Sequence, residues 1–351
     1  MRQGNPFTLN FGVEPANYIS RKSQTDEVIQ AFTSEPSPSH VFMITGVRGT
    51  GKTVFLSEIE DYFQERDWIV CDLSIESDLL LSLASKLYNV NRLYSIFTKA
   101  KLNLSFFGIG LDISGVPPVT DIETAVERMM DILRQHDQKL LIAIDEAVNS
   151  QSMRKFASEF QLLLRKRFPV YLLMTGLYEN LYDLQNEKTL TFLFRAPKIF
   201  LPPLDSIAMM DSYQEIFHNS VHDARAMAQL TKGYSYAYQV LGYLCWESGS
   251  GSVTDDVLSR FDVFMDEYVY SKIWSEQSPV KQKILTALAD SESGNVTEIR
   301  QCIQMPPSEF SVYRQRLIRQ GLVQSSGYGH IAFTLPRFEI FVRNQSHFVD
   351  E

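Results

Sequence analysis

Short unbroken apolar runs and longer helical spacings alternate along the first half of this chain. His40-Val41-Phe42-Met43-Ile44-Thr45, Trp68-Ile69-Val70-Cys71-Asp72-Leu73, Lys139-Leu140-Leu141-Ile142-Ala143-Ile144 and Val170-Tyr171-Leu172-Leu173-Met174 predict strands buried on both faces of a parallel sheet. A last strand is expected within 192–201, closed by Pro202-Pro203. Helical spacing predicts helices at 24–32 (Val28, Ile29, Phe32), from the residue after 53 to about 66, through 77–100, at 121–136 with Thr120 or Asp121 as N-cap, and at 151–167. The segment 103–115 alternates and holds Gly108, Gly110 and Gly115, which predicts a β-hairpin-like insertion. Strands alternating with helices predict a doubly wound α/β domain over 1–203.

After Pro203 the strand signal stops. Residues 205–275 read as helical apart from Gly249-Ser250-Gly251-Ser252, so 204–275 is expected to be a helical lid domain. From 276 to 351 the pattern is helix (280–289), helix (296–303), Pro-Pro, helix (308–320), then strands at 322–325 and 331–335 around a Gly-Tyr-Gly tip. Three helices and a hairpin predict a winged helix-turn-helix domain. There is no internal repeat and no low-complexity tract.

The most specific chemistry lies between the first strand and the helix that follows it. Gly46-Val47-Arg48-Gly49-Thr50-Gly51-Lys52-Thr53 matches the phosphate-binding pattern G-x-x-x-x-G-K-[ST], and Val54 carries the stretch into the helix. Gly46, Gly49 and Gly51 let backbone N–H groups turn inward onto phosphate oxygens, and the helix start adds partial positive charge. Lys52 is expected on the β- and γ-phosphates and the Thr53 hydroxyl on Mg²⁺. About 90 residues on, Asp145-Glu146 ends the strand 139–144, where a carboxylate faces the metal (Asp145) and the next polarises the attacking water (Glu146). Thr175, at the end of the strand 170–174, is a candidate for the γ-phosphate or the lytic water, or else a strand-end turn residue. Arg195 is a candidate arginine finger acting on a neighbouring protomer, with Arg165 and Arg167 as rivals. The turn Gly233-Tyr234-Ser235-Tyr236-Ala237-Tyr238 either reaches the nucleotide or is core.

Charge tempers the reading of the C-terminal part. The 351-residue chain carries a net charge of −9, which argues against a general nucleic-acid coat. Arg314, Arg316 and Arg319 on the helix 308–320 suit a DNA-recognition helix. Yet in 276–351 the bases Lys281, Lys283, Arg300, Arg314, Arg316, Arg319, Arg337 and Arg343 face as many acids (Glu276, Asp290, Glu292, Glu298, Glu309, Glu339, Asp350, Glu351). Duplex DNA and a protein partner both remain open for this segment. Cys71, Cys245 and Cys302 show no C-x-x-C spacing and read as small buried hydrophobes in a reducing cytoplasm. Met1-Arg2-Gln3-Gly4-Asn5-Pro6 has no apolar signal region, no run approaches a membrane span, and the scattered histidines predict no zinc site; a soluble cytoplasmic protein is expected.

Taken in order, the loop 46–53, Asp145-Glu146, Thr175, Arg195, the helical lid and the winged helix resemble the AAA+ P-loop ATPases, above all the Orc1/Cdc6-like branch and its prokaryotic relatives. Tyr18-Ile19-Ser20-Arg21 is similar to the segment those proteins set near the adenine. The resemblance implies ATP and Mg²⁺ as cofactors, Lys52 and Thr53 in binding, Glu146 in hydrolysis, and homo-oligomers or other assemblies completed by trans-acting arginines. Two positions depart from the family: Thr175 stands where Asn is usual, and the turn 233–238 has no arginine. That turn, with Gln239-Val240-Leu241-Gly242, also resembles the G-x-P-x-A lid segment of STAND ATPases, with Ser235 in place of the proline. A STAND-like switch whose winged helix contacts protein, and a nucleotide-binding module with little turnover, are the alternatives.

Overall fold

The structure, a computed structural model, describes residues 4–10, 12 and 15–347. Met1–Gln3 of the N-terminal reading and the acids Asp350 and Glu351 lie outside them. The chain divides into two compact units. One comprises Lys22–Thr45 and Lys52–Phe200; the other comprises Met1–Arg21, Gly46–Gly51 and Leu201–Glu351.

The first unit is α/β. Its elements are α1 (Lys22–Thr33), β1 (Val41–Thr45), α2 (Lys52–Gln64), β2 (Ile69–Leu73), α3 (Leu79–Tyr88), α4 (Asn91–Lys99), α5 (Ile122–Gln135), β3 (Leu140–Ile144), α6 (Gln151–Arg165), β4 (Val170–Gly176), α7 (Tyr178–Gln185), α8 (Thr191–Phe194) and β5 (Lys198–Phe200). The five strands pair in parallel in the order β2-β3-β4-β1-β5. Every residue of β1, β3 and β4 is buried, as the unbroken apolar runs require of inner strands covered by helices on both faces. The edge strands β2 and β5 alternate instead and expose Asp72, Lys198 and Phe200. Asp121 is the N-cap of α5, its carboxylate accepting from Thr124 N at 2.8 Å, and Ser150 caps α6 in the same way at 3.1 Å.

The expected hairpin at 103–115 is absent. The segment holds one 3₁₀ turn, Ser105–Phe107, and no strand. Asn103 explains the difference: its side chain is buried and donates to Asp112 Oδ1 (2.9 Å) and Val116 O (2.7 Å) while accepting from Ser105 N (3.1 Å). Gly108, Gly110 and Gly115 take left-handed φ values, and the alternating apolar residues Leu102, Leu104 and Ile109 plug directly into the core. One polar side chain thus replaces a ladder of backbone hydrogen bonds.

The second unit is largely helical: α9 (Ser206–Phe217), α10 (Val221–Thr231), α11 (Ser235–Ser248), α12 (Asp255–Met265), a π-helical turn (Asp266–Tyr270), α13 (Ser271–Ser275), α14 (Pro279–Asp290), α15 (Val296–Cys302) and α16 (Pro307–Gln320). An antiparallel hairpin follows, β6 (Val323–Gly327) and β7 (His330–Phe333), and then α17 (Phe338–His347). Helix α17 has the spacing Phe338, Phe341, Val342, a signal the sequence reading left unused. Phe338 packs edge-on against Tyr270 and Phe333, and Arg337 forks onto the Asp262 carboxylate at 2.5 and 2.6 Å. Cys71 and Cys245 are buried, but Cys302, the last residue of α15, is exposed, so it is not the buried hydrophobe expected. Among the described residues no helix is long and apolar enough to cross a membrane.

Candidate functional site

The parallel register aligns the carboxyl ends of the inner strands. Leu73 lies beside Ile144, Ile144 beside Met174, and Thr45 beside Gly176. At such an edge the chain leaves the sheet, and polar side chains there can meet a ligand. Asp145 follows β3 directly, and Thr175 is the penultimate residue of β4.

Three side chains meet at this edge from distant parts of the sequence. The Thr53 hydroxyl donates to Asp145 Oδ2 at 2.7 Å, across 92 residues of chain. The Thr175 hydroxyl, wholly buried, donates to Asp145 Oδ1, so both carboxylate oxygens are engaged. Glu146 N–H donates to Asp145 Oδ1 (3.0 Å) and Thr175 Oγ1 (3.3 Å), and Glu146 itself takes φ +53°. That left-handed backbone is uncommon outside glycine and asparagine. It turns the exposed Glu146 side chain away from the buried end of β3. Thr53 and Asp145 together present two hard oxygens in contact, a donor set that fits Mg²⁺, with the rest of the octahedron left to waters and phosphate oxygens. Lys52 and Val54, the neighbours of Thr53 in the first turn of α2, are half-buried.

Glu60 is a residue the sequence reading missed. It sits two turns further along α2, its Oε1 is buried without a hydrogen-bond partner, and its pKa is raised from 4.5 to about 7. Burial is the main cause; the charges of Asp72, Asp61 and Asp145 add to it, and Lys86 opposes. The folded protein therefore keeps a proton that the unfolded chain releases above pH 4.5. The stability this contributes is full below pH 4.5 and is lost as pH rises through about 7. Glu60→Gln is expected to raise the unfolding free energy at pH 8 by about 1 kcal/mol, after discounting for partial exposure, with little change at pH 4. Thermal unfolding of both proteins at the two pH values checks this.

The loop 46–51 belongs to the second unit, where the start of α11 grips it. The Tyr234 hydroxyl donates to Arg48 O, Tyr236 N–H to Gly49 O (3.1 Å), and Ser235 Oγ to Thr50 O (2.9 Å). Arg21 is buried, and its guanidinium donates to Thr50 O (2.8 Å), Ser235 Oγ (3.0 Å) and Pro202 O (3.0 Å). The turn 233–238 has no arginine of its own, yet Arg21 reaches it from 214 residues away. Gly49 has φ +79°, and a Cβ there would strike the Tyr234 ring hydroxyl. At Gly46 a Cβ would come within 2.7 Å of Thr50 Oγ1, which donates to Val47 O at 2.8 Å. Val47 is buried, Arg48 pairs with Glu276 at 2.9 Å, and Gly51 has φ +84°. The close approaches at Gly46 and Gly49 and the positive φ of Gly49 and Gly51 favour glycine at these positions, as a polyphosphate cradle requires.

The remaining candidates lie elsewhere. Arg195 caps α8, is exposed, and lines a cavity of about 560 Å³ with Arg167, His40 and Gln161. Val41, the first residue of β1, and Pro169, just before β4, line that cavity too, so Arg195 and Arg167 sit at the opposite end of the sheet from Asp145 and Thr175. Arg165 is exposed in the last turn of α6. On α16, Arg316 and Arg319 are three apart, exposed and on one face, whereas Arg314 faces elsewhere with its Nε buried.

Residues 21–77 match the KAP family P-loop domain, and residues 267–342 match a domain of unknown function, DUF8462. No curated protein matches the chain in sequence. The Walker-type ATPase PABY2304 of Pyrococcus abyssi superposes with a TM-score of 0.67 at 16% identity, over 93% of this chain and 96% of that one. Cdc6p of Pyrobaculum aerophilum aligns over 98% and 97% of the two chains at 12% identity, with a TM-score of 0.48. A STAND protein with a tetratricopeptide repeat sensor from Pyrococcus horikoshii aligns over 96% of this chain and 44% of its own, at 16% identity and a TM-score of 0.44. The chain shares its fold with the Walker-type ATPase of Pyrococcus abyssi, and its residues 21–77 carry the match to a P-loop domain.

Proposed function

We propose that this protein is a Mg²⁺-dependent ATPase that works as a switch, coupling its nucleotide state to a C-terminal winged helix. The hydrogen bond from Thr53 to Asp145 carries the reading, because it joins the two sequence motifs in one oxygen donor set. Gly46–Thr53 and Val54 bind the polyphosphate through backbone amides, the start of α2 and the Lys52 ammonium. Mg²⁺, when bound, would supply neutralising charge to the polyphosphate. Thr53 and Asp145 hold it, directly or through water. Thr175 orients the Asp145 carboxylate by donating to Oδ1, which directs Oδ2 to the Thr53 hydroxyl that would share the metal shell with it. Glu146, held in its left-handed turn, takes a proton from the attacking water. Arg195 completes the site of a neighbouring copy, since its own strand end is remote from Asp145. Three functional parts, 1–203, 204–275 and 276–351, then act as core, lid and winged helix.

Steady-state ATP turnover at moderate salt, with and without duplex DNA, tests this. Stimulation by DNA supports the replication-initiator likeness, and a protein without turnover in either condition refutes the ATPase reading. The double variant Arg316→Ala, Arg319→Ala is expected to weaken duplex binding about tenfold and to flatten its salt dependence. A second reading has its own support: α16 also exposes Val312, the hairpin tip exposes Tyr328 fully, and acids match bases in the segment. Such a mixed face suits a protein partner, as in a STAND-like switch. Turnover blind to DNA favours it.

A further inference from the structure

Helix α11 begins without a side-chain cap. Its N-cap residue, Tyr234, makes no capping hydrogen bond, and the first intrahelical bond is Tyr238 N–H to Tyr234 O at 3.0 Å. The amides of a helix's first turn need acceptors from outside the helix. Tyr236 N–H finds Gly49 O in the loop 46–51. The Tyr234 hydroxyl and the Ser235 hydroxyl take the carbonyls on either side, Arg48 O and Thr50 O. Three successive loop carbonyls are thus held by three successive residues of the lid turn.

Peptide planarity gives this pairing a consequence. In a trans peptide the C=O and the following N–H point in opposite directions. Pulling Arg48 O and Thr50 O towards α11 turns Gly49 N–H and Gly51 N–H to the other side of the loop. Neither amide has an acceptor among the described residues, whereas Thr50 N–H is used by Val47 O at 3.3 Å. Burial raises the Tyr234 phenol far above its ordinary range, so it stays a donor at any pH the fold survives. The turn is braced from behind: a Cβ on Gly233 would come within 2.5 Å of Pro203, Leu204 N–H donates to Gly233 O at 2.8 Å, and Arg21 ties Thr50 O to Pro202 O. Helix α11 in turn has Ala237, Val240, Leu241 and Leu244 fully buried, so its first turn has no slack to follow the loop at no cost.

We propose that the phosphate loop serves as the N-terminal cap of α11, with Tyr234 and Ser235 as positioning residues that preset the loop's amides, so that occupancy of the loop is felt directly by the lid helix. The inference rests on the nucleotide-binding reading and adds to it the route by which binding regulates the lid. Amide exchange reads it in the full chain. Without nucleotide, Tyr234→Phe is expected to speed exchange over 235–238 relative to wild type. Mg²⁺ with the non-hydrolysable analogue AMP-PNP is expected to slow exchange there in wild type and not in Tyr234→Phe. Tyr234→Phe should bind AMP-PNP about tenfold more weakly, having lost its bond to Arg48 O, and Ser235→Ala about threefold, because Arg21 still holds Thr50 O when the Ser235 hydroxyl is gone. A merely structural role for Tyr234 leaves the exchange response to AMP-PNP intact. Tyr234→Phe and Ser235→Ala proteins with wild-type affinity and a wild-type response overturn the proposal while the nucleotide reading stands, provided Lys52→Ala abolishes binding. A wild-type protein that binds no AMP-PNP overturns both.

Discussion

Glu146→Gln is expected to cut ATP turnover about a thousandfold while nucleotide affinity stays within about threefold, as befits loss of a general base without loss of a binding group. The substitution keeps the length and the hydrogen-bonding reach of the side chain and removes only its basicity. Backbone placement should survive, because Glu146 N–H donates to Asp145 Oδ1 and Thr175 Oγ1, and glutamine keeps both bonds. Single-turnover hydrolysis and equilibrium binding, measured on the same preparation, separate the two effects. A variant that keeps a third of wild-type turnover removes Glu146 from the chemistry and passes the role to another group at the strand edge.

Lys52→Ala should weaken ATP binding about a hundredfold or more, equivalent to about 3 kcal/mol, because it removes the cation that the proposed reading assigns to the polyphosphate. Lys52 is the first residue of α2, so its charge adds to the partial positive charge of the helix start. Alanine is an excellent helix former, which makes a folding defect at this position a poor explanation of lost binding. Titration with a fluorescent ATP analogue, beside a thermal melt in the absence of nucleotide, measures both quantities. Wild-type affinity in this variant would falsify the nucleotide assignment of the loop 46–53 and everything built on it. Intact binding with lost turnover would instead restrict Lys52 to the transition state.

Much of the site's chemistry was legible in local sequence because it is encoded locally. A phosphate loop needs glycines and a lysine at set spacing within one turn of chain, and residues 46–53 meet that need without reference to any other residue. The unbroken apolar runs of β1, β3 and β4 announce inner strands, since only a strand covered on both faces can lack polar residues. The carboxylates after Ile144 follow from the same run, which ends where the sheet ends. Alternation misled at 103–115, where Asn103 satisfies the backbone that a partner strand would have satisfied. Helix α17 was legible in principle from Phe338, Phe341 and Val342, but only its docking on Tyr270 and Phe333 gives that spacing a purpose.

Sequence alone carried the α/β fold with its parallel sheet and singled out the loop 46–53 and Asp145-Glu146 as candidates, because each depends on residues within a few positions of one another or on a repeated period. Tertiary structure alone decided which partners those residues meet. Thr53 and Thr175 share the Asp145 carboxylate across 92 and 30 residues of chain, and Arg21 reaches the turn 233–238, which has no arginine of its own. It also set Arg195 at the far end of the sheet, raised the pKa of Glu60, and gave α11 its cap from the phosphate loop. The physical reason is common to all of these. Hydrogen bonds and charge–charge interactions act over a few ångströms in space, and only packing of the core brings residues so distant in sequence within that range.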